Sequence, residues 1–147
     1  INQSEVFIGQ QKWAQAEAAL EQAKAIDPKH PDTYKALAVM YLGTDTGDRA
    51  VDSIRKAYEL APKRADIVDV YSTVMLRTGD GKQAEIFARK LVEFDCNNPD
   101  YLATLAVVLC NVDKAKEGKQ VIEKAMKLKP GLGTKQVLKE LMGSCGK

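Results

Sequence analysis

The 147-residue sequence is poor in the groups that carry most enzymatic chemistry. Its one histidine, His30, stands between Pro28 and Pro31, so the side chain most often used for proton transfer near neutral pH is confined to a turn. No G-x-S-x-G elbow, phosphate-cradling glycine loop or H-E-x-x-H pair occurs, and each would be needed for a familiar class of catalysis or cofactor binding. The chain is therefore expected to be no enzyme and to use no cofactor. Three cysteines, Cys96, Cys110 and Cys145, include no C-x-x-C pair. Neither a disulfide framework nor a metal site is expected, and cytoplasmic, reducing surroundings are favoured. No apolar run approaches the roughly 18 residues that cross a bilayer, so direct membrane insertion is not expected. Aromatic residues make up 6% of the chain. The lysine-rich C-terminal end has none interleaved for base stacking, which argues against nucleic-acid binding. The first residue is Ile1 rather than Met, so the chain reads as a piece of a longer protein and says nothing about a leader.

What the sequence has is a beat. Pro28, Pro62, Cys96 and Pro130 stand 34 residues apart. Small residues keep the same interval at Ala16, Ala50, Ala84 and Gly118, and again at Ala38, Ser72 and Ala106. Bulky residues keep it at Tyr34, Val68 and Leu102, at Leu37, Tyr71 and Leu105, and at Phe7, Tyr41, Met75 and Leu109. Within each repeat the spacing of three or four, as in Tyr34, Leu37 and Tyr41, places these residues on one helical face. A period of this length corresponds to a helix-turn-helix unit that must stack on its neighbours to bury its apolar face.

These slots resemble those of the tetratricopeptide repeat family, in which an aromatic, a large aliphatic, a small residue and a second aromatic are followed by Ala, a bulky residue, Ala and Pro. Residues 31–64 hold nearly the whole pattern: Tyr34, Leu37, Ala38, Tyr41, Ala50, Ile54, Ala57 and Pro62. The register continues through 65–98 and 99–132, while 1–30 fits only the second part. The resemblance implies an all-α fold, an α-α superhelix forming one domain. It would hold about three and a half repeats, namely a partial repeat (1–30) and three full ones (31–64, 65–98, 99–132), with a capping helix and tail at 133–147.

Helix pairs are expected at about 1–8 with 12–26, 32–43 with 48–60, 66–78 with 82–94 and 100–111 with 115–128, before a last amphipathic helix near 134–142. Asp27-Pro28, Ala61-Pro62 and Lys129-Pro130 stop helices because the residue before proline is pushed out of the α region. The corner between Asn111 and Lys114 has no glycine to turn it. Asp32, Asp66 and Asp100 occupy one slot at the start of three leading helices, where a carboxylate can cap free N–H groups. In the third repeat Ala88 and Leu91 exchange the large and small positions, which conserves volume. Trp13 is expected in the core between paired helices, and Cys110 to act as a small hydrophobe. Lys114, Lys116, Lys119, Lys124, Lys127 and Lys129 read as a solvated outer face.

In proteins of this family the leading helices line a concave groove that holds extended or helical segments of partner proteins. Helical spacing around the packed slots assigns to that groove Asp32, Lys35, Val39 and Leu42, then Asp66, Asp69, Thr73, Leu76 and Arg77, then Asp100, Ala103, Val107 and Cys110; Glu5 and Ile8 represent the first repeat. The resemblance implies a non-enzymatic interaction scaffold. One subset of the family grips the acidic C-terminus of heat-shock chaperones with Lys and Asn. Here Lys35 matches, but Val39 and Val70 replace the asparagines and Asp100 and Thr104 replace later basic residues, so that partner is excluded. The expected partner is a protein or peptide that is apolar with flanking Lys or Arg. The alternative is a homo-oligomer, in which one chain docks on another.

Overall fold

The computed structural model describes the backbone of residues 3–44 and 46–146 and side chains from residue 12 onward. Among the described residues there are eight helices: α1 (Gln3–Ile26), α2 (Pro31–Gly43), α3 (Gly47–Leu60), α4 (Ala65–Arg77), α5 (Gly81–Phe94), α6 (Pro99–Asn111), α7 (Ala115–Lys127) and α8 (Leu132–Ser144). From α2 onward the bounds fall within two residues of those expected. The first pair does not appear: α1 runs unbroken for 24 residues where two helices were expected. The sequence at 9–11 offers one glycine, whose cost of about 1 kcal/mol within a helix does not by itself end one. The side chains of Glu5, Phe7 and Ile8 lie outside the described ones.

Local chemistry accounts for the starts. Pro31 and Pro99 take the first helical position of α2 and α6, where a missing N–H costs nothing. The caps are not the aspartates expected. The His30 Nδ1 accepts from the Asp32 N–H, and the Asn98 side chain accepts from the N–H groups of Asp100 and Tyr101. The aspartates sit inside the first turn, facing the positive end of the helix dipole. The corner without glycine is turned by Asp113 at φ 62°, in the slot where the previous repeat has Gly79 at φ 92°. Aspartate is among the few residues that adopt this left-handed conformation.

Helices α2, α4 and α6 lead each repeat, and α3, α5 and α7 trail. Each leading helix packs on the next, α2 on α4, α4 on α6 and α6 on α8, whereas the trailing helices stand farther apart and meet through long side chains, as Tyr58 meets Phe87 and Arg89 meets Glu117. Layers drawn together on one side and splayed on the other curve the stack, with the leading helices on its concave face. The repeat slots fill the inside. Ala38, Ala50, Ala84 and Ala106 are fully buried, as are Leu37, Ile54, Leu91 and Leu109, each large side chain contributing about 1.5–3 kcal/mol by leaving water. Ser72, in a small slot, is also buried, and its hydroxyl donates to the Ala84 carbonyl at 2.9 Å, so its polarity is satisfied. Ala88 and Leu91 are both buried, and the volume beside them comes from Phe87, stacked on Tyr71 with centroids 3.8 Å apart and met edge-on by Tyr58.

Two of the three cysteines are bonded, contrary to expectation. Cys110 and Cys145 form a disulfide, with Cα atoms 5.1 Å apart, that ties the end of α8 to α6; only Cys96 is free, and it is exposed. Cys110 is therefore no simple hydrophobe, and the cysteine count is no argument for reducing surroundings. The bridge also explains why Gly118 stands where other repeats have alanine. A Cβ there would lie 2.8 Å from Cys110 Sγ and 3.4 Å from Cys145 Sγ. Helix α8 itself lies over α6 and α7 in the position of a further leading helix, burying Leu138 fully and Leu141 and Met142 in part.

Candidate functional site: the concave groove

The concave face is open between α2 and α4. Val39, Leu42, Asp69, Val70, Thr73 and Arg77 line a depression of about 190 Å³ there, which brings five of the sequence-assigned residues together and adds Val70. A second hollow of about 420 Å³ adjoins it toward α1, lined by Trp13, Ala16, Leu20, Asp32, Lys35, Ala36, Val39 and Met40. Val39 belongs to both and is 49% exposed, a large exposure for a valine on a helix otherwise packed. Trp13 is not core. It is 42% exposed, with its ring edge against Gly43 at the end of α2.

The far end of the assigned groove is covered. Ala103 is 8% exposed and packs in the cluster with Leu138 of α8; Cys110 is in the disulfide; and Asp100, though exposed, accepts a hydrogen bond from the Thr134 hydroxyl of α8. Val107 is half-buried. Leu76 turns away from the depression into a hollow with Asn111 and Val112 near the repeat corners. Of the assigned positions, those on α2 and most of those on α4 line the two hollows, whereas Ala103 and Cys110 lie against α8.

The margin is less acidic than its aspartates imply. Arg64, absent from the sequence assignment, reaches Asp32 at 2.6 Å and Asp66 at 2.7 Å, and Lys35 reaches Asp66 at 2.9 Å. Hydrogen bonding from Arg64, helped by Lys35 and opposed by partial burial, lowers the Asp66 pKa to about 2. Asp32 is lowered by the same guanidinium. Asp69 goes the other way: burial raises its pKa, against the hydrogen bond that it accepts from the Thr104 hydroxyl at 3.0 Å. With Asp32, Asp66, Asp69 and Asp100 set against Lys35, Arg64 and Arg77, four negative charges meet three positive ones, and the unneutralised acids lie toward α6. The position of Arg64, two residues before Asp66, was the available signal, since side chains at the end of a connection can reach back to the helix they precede.

No family model matches the chain, and no curated protein matches it in sequence. Solved structures do match. PilF of Pseudomonas aeruginosa superposes with a TM-score of 0.76 at 20% identity, over 93% of this chain and 63% of PilF. MamA gives 0.73 at 14% identity over 99% and 93%, and YrrB, a TPR protein with an unusual peptide-binding site, gives 0.69 at 15% over 96% and 80%. The chain has the tetratricopeptide repeat fold. It spans less than two thirds of the length of PilF. Within this tetratricopeptide stack no described helix is long and apolar enough to cross a membrane, and no cluster of described His, Cys, Asp or Glu side chains could hold a metal ion. The lysines of α7 and its flanks are exposed as expected. Lys114 pairs with Glu85 of α5 at 2.7 Å, and Arg89 joins Glu117 at 2.8 Å, which links the outer faces of two repeats.

Proposed function

We propose that this chain is a protein-interaction scaffold that seats an apolar segment of a partner protein, helical or extended, across α2 and α4. The observation that carries the reading is the half-exposed Val39, shared by two adjoining apolar hollows on the concave face. A single exposed valine needs no explanation, but one set among Leu42, Val70 and Trp13 in a concavity is the geometry of a peptide anchor. Basic residues flanking the apolar segment would fall toward Asp69 and Asp100, since Asp32 and Asp66 are already paired with Arg64 and Lys35. The groove's acids are engaged in ion pairs or hydrogen bonds, so binding rather than proton exchange is the chemistry offered. An acidic chaperone tail would find Lys35 occupied and Asp100 repelling it.

The test uses a helix-forming peptide with leucines at i, i+3 and i+4 and two lysines after them, titrated by calorimetry. Val39→Arg with Thr73→Arg places two cations at the same slot of successive leading helices, both outside the core. A loss of affinity of about tenfold or more with unchanged helical content is expected; undiminished binding overturns the groove.

A second reading, association between copies, has its own observation. Leu132 is 87% exposed and Val137 46% exposed on α8, in a C-terminal stretch, 111–147, that holds nine Lys against four acids. If charge steers that association, the mass seen by light scattering falls as salt rises.

A further inference from the structure

We propose that the Cys110–Cys145 disulfide is a redox clamp that holds α8 over the last part of the groove, and that its reduction uncovers a docking face on α6 for an amphipathic helix of α8's own pattern. The inference extends the groove reading along the same concave surface. Asp100, Ala103 and Cys110 occupy the α6 slots equivalent to Asp32, Lys35 and Leu42 on α2, and α8 engages all three: it bonds the exposed Asp100 through Thr134, buries Ala103 beside Leu138 and holds Cys110 in the disulfide. Helix α8 is otherwise lightly held. Leu138 is its only fully buried residue, Leu132 and Val137 face outward, and its start has no side-chain cap. A 13-residue helix with so little buried surface is marginal without a tether. The bridge spans 35 residues, so in its absence the ordering of the whole segment falls to those few contacts. Gly118, which leaves room for the two sulfurs, fits a site shaped around the bridge.

The chemistry balances as thiol–disulfide exchange. A dithiol reductant gives two electrons and two protons, the Cys110–Cys145 S–S bond breaks to two thiols, and the reductant becomes a disulfide; a small-molecule disulfide such as oxidised glutathione reverses it.

The test compares the intact chain, its exposed Cys96 first alkylated while the bridge is closed, oxidised with glutathione disulfide and reduced with dithiothreitol, using intact mass to report the two hydrogens gained and amide hydrogen exchange to report order. On reduction, amides of α8 are expected to exchange about tenfold faster or more while α2 to α5 keep their protection. A fluorescent peptide of residues 131–146 carrying Cys145→Ser should then bind the reduced chain and not the oxidised one. Unchanged protection of α8 on reduction overturns the clamp, as does equal peptide binding by both forms. Because the wild-type chain is compared with itself, misfolding of a variant cannot produce either result. Val39 and Thr73 play no part in this experiment, so the clamp and the groove can fail separately.

Discussion

The two ends of the concave face are built from the same slots and do opposite things. On α2, Lys35 and Leu42 are partly exposed; on α6 the equivalent Ala103 is buried beneath α8 and Cys110 is bonded to its end. The difference teaches that a groove position in a repeat stack is defined by what the next leading helix leaves free, and only secondarily by helical phase. The packing differs in the same sense. The larger cluster of buried residues runs through α2 to α6, while the one under α8 is small, and in a quasi-one-dimensional fold each junction carries its own share of stability.

The sharpest way to break this comparison is to remove equal volume from both clusters. Ile54→Ala, in the larger one, is expected to cost about 2–5 kcal/mol and to shift the main urea transition. Leu138→Ala should leave that transition nearly in place and instead release α8 in hydrogen exchange; equal shifts would mean that the two ends unfold as one. Next in size is Gly118→Ala, which pushes a Cβ against Cys110 Sγ and should cost about 1–3 kcal/mol by overpacking. The reverse change in an open repeat, Ala84→Gly, should cost about 1 kcal/mol through helix propensity. Thermal melts of the pair separate the two mechanisms.

The repeat corners come third. Gly79→Ala forces an alanine to φ 92° and should cost about 1–2 kcal/mol, whereas Asp113→Gly should be neutral or slightly stabilising, because the native residue already bears that conformation. The smallest expected effect is electrostatic. The Asp66 pKa is about 2 in the fold against an ordinary 3.8, so its stabilising contribution is whole above pH 4 and disappears as pH falls toward 2. Asp69, shifted upward, acts with the opposite sign, favouring the fold at low pH and losing that advantage as it ionises. Asp66 is about two-fifths exposed, so roughly 1 kcal/mol or less is at stake. The fall in Tm between pH 6 and pH 3 should be smaller in Asp66→Asn than in the native chain.

The helix stack was legible because close helix contact demands small residues at fixed intervals, and Ala38, Ala50, Ala84 and Ala106 meet that demand at full burial. What escaped reading depends on contacts between repeats. The fate of Ala103 was set by α8, whose docking no local pattern announces, and the role of Asp32 and Asp66 was set by Arg64 reaching across a junction. The disulfide had a faint signal. Cys110 and Cys145 are 35 residues apart, one more than the period, and residues about one period apart lie side by side on successive leading helices; Gly118 in an alanine slot was the second hint. The continuous α1 had none, since the sequence at 9–11 permits either a bend or a helix.

Trp13, the only tryptophan in the chain, rests its ring on Gly43 at the contact of α1 with α2. Its fluorescence is therefore a gauge of that one junction, while the near-ultraviolet dichroism of the Tyr58, Tyr71 and Phe87 cluster gauges the middle of the stack. Heating should turn the two signals at different temperatures, and the gap between them reads out directly how far the repeats come apart one at a time.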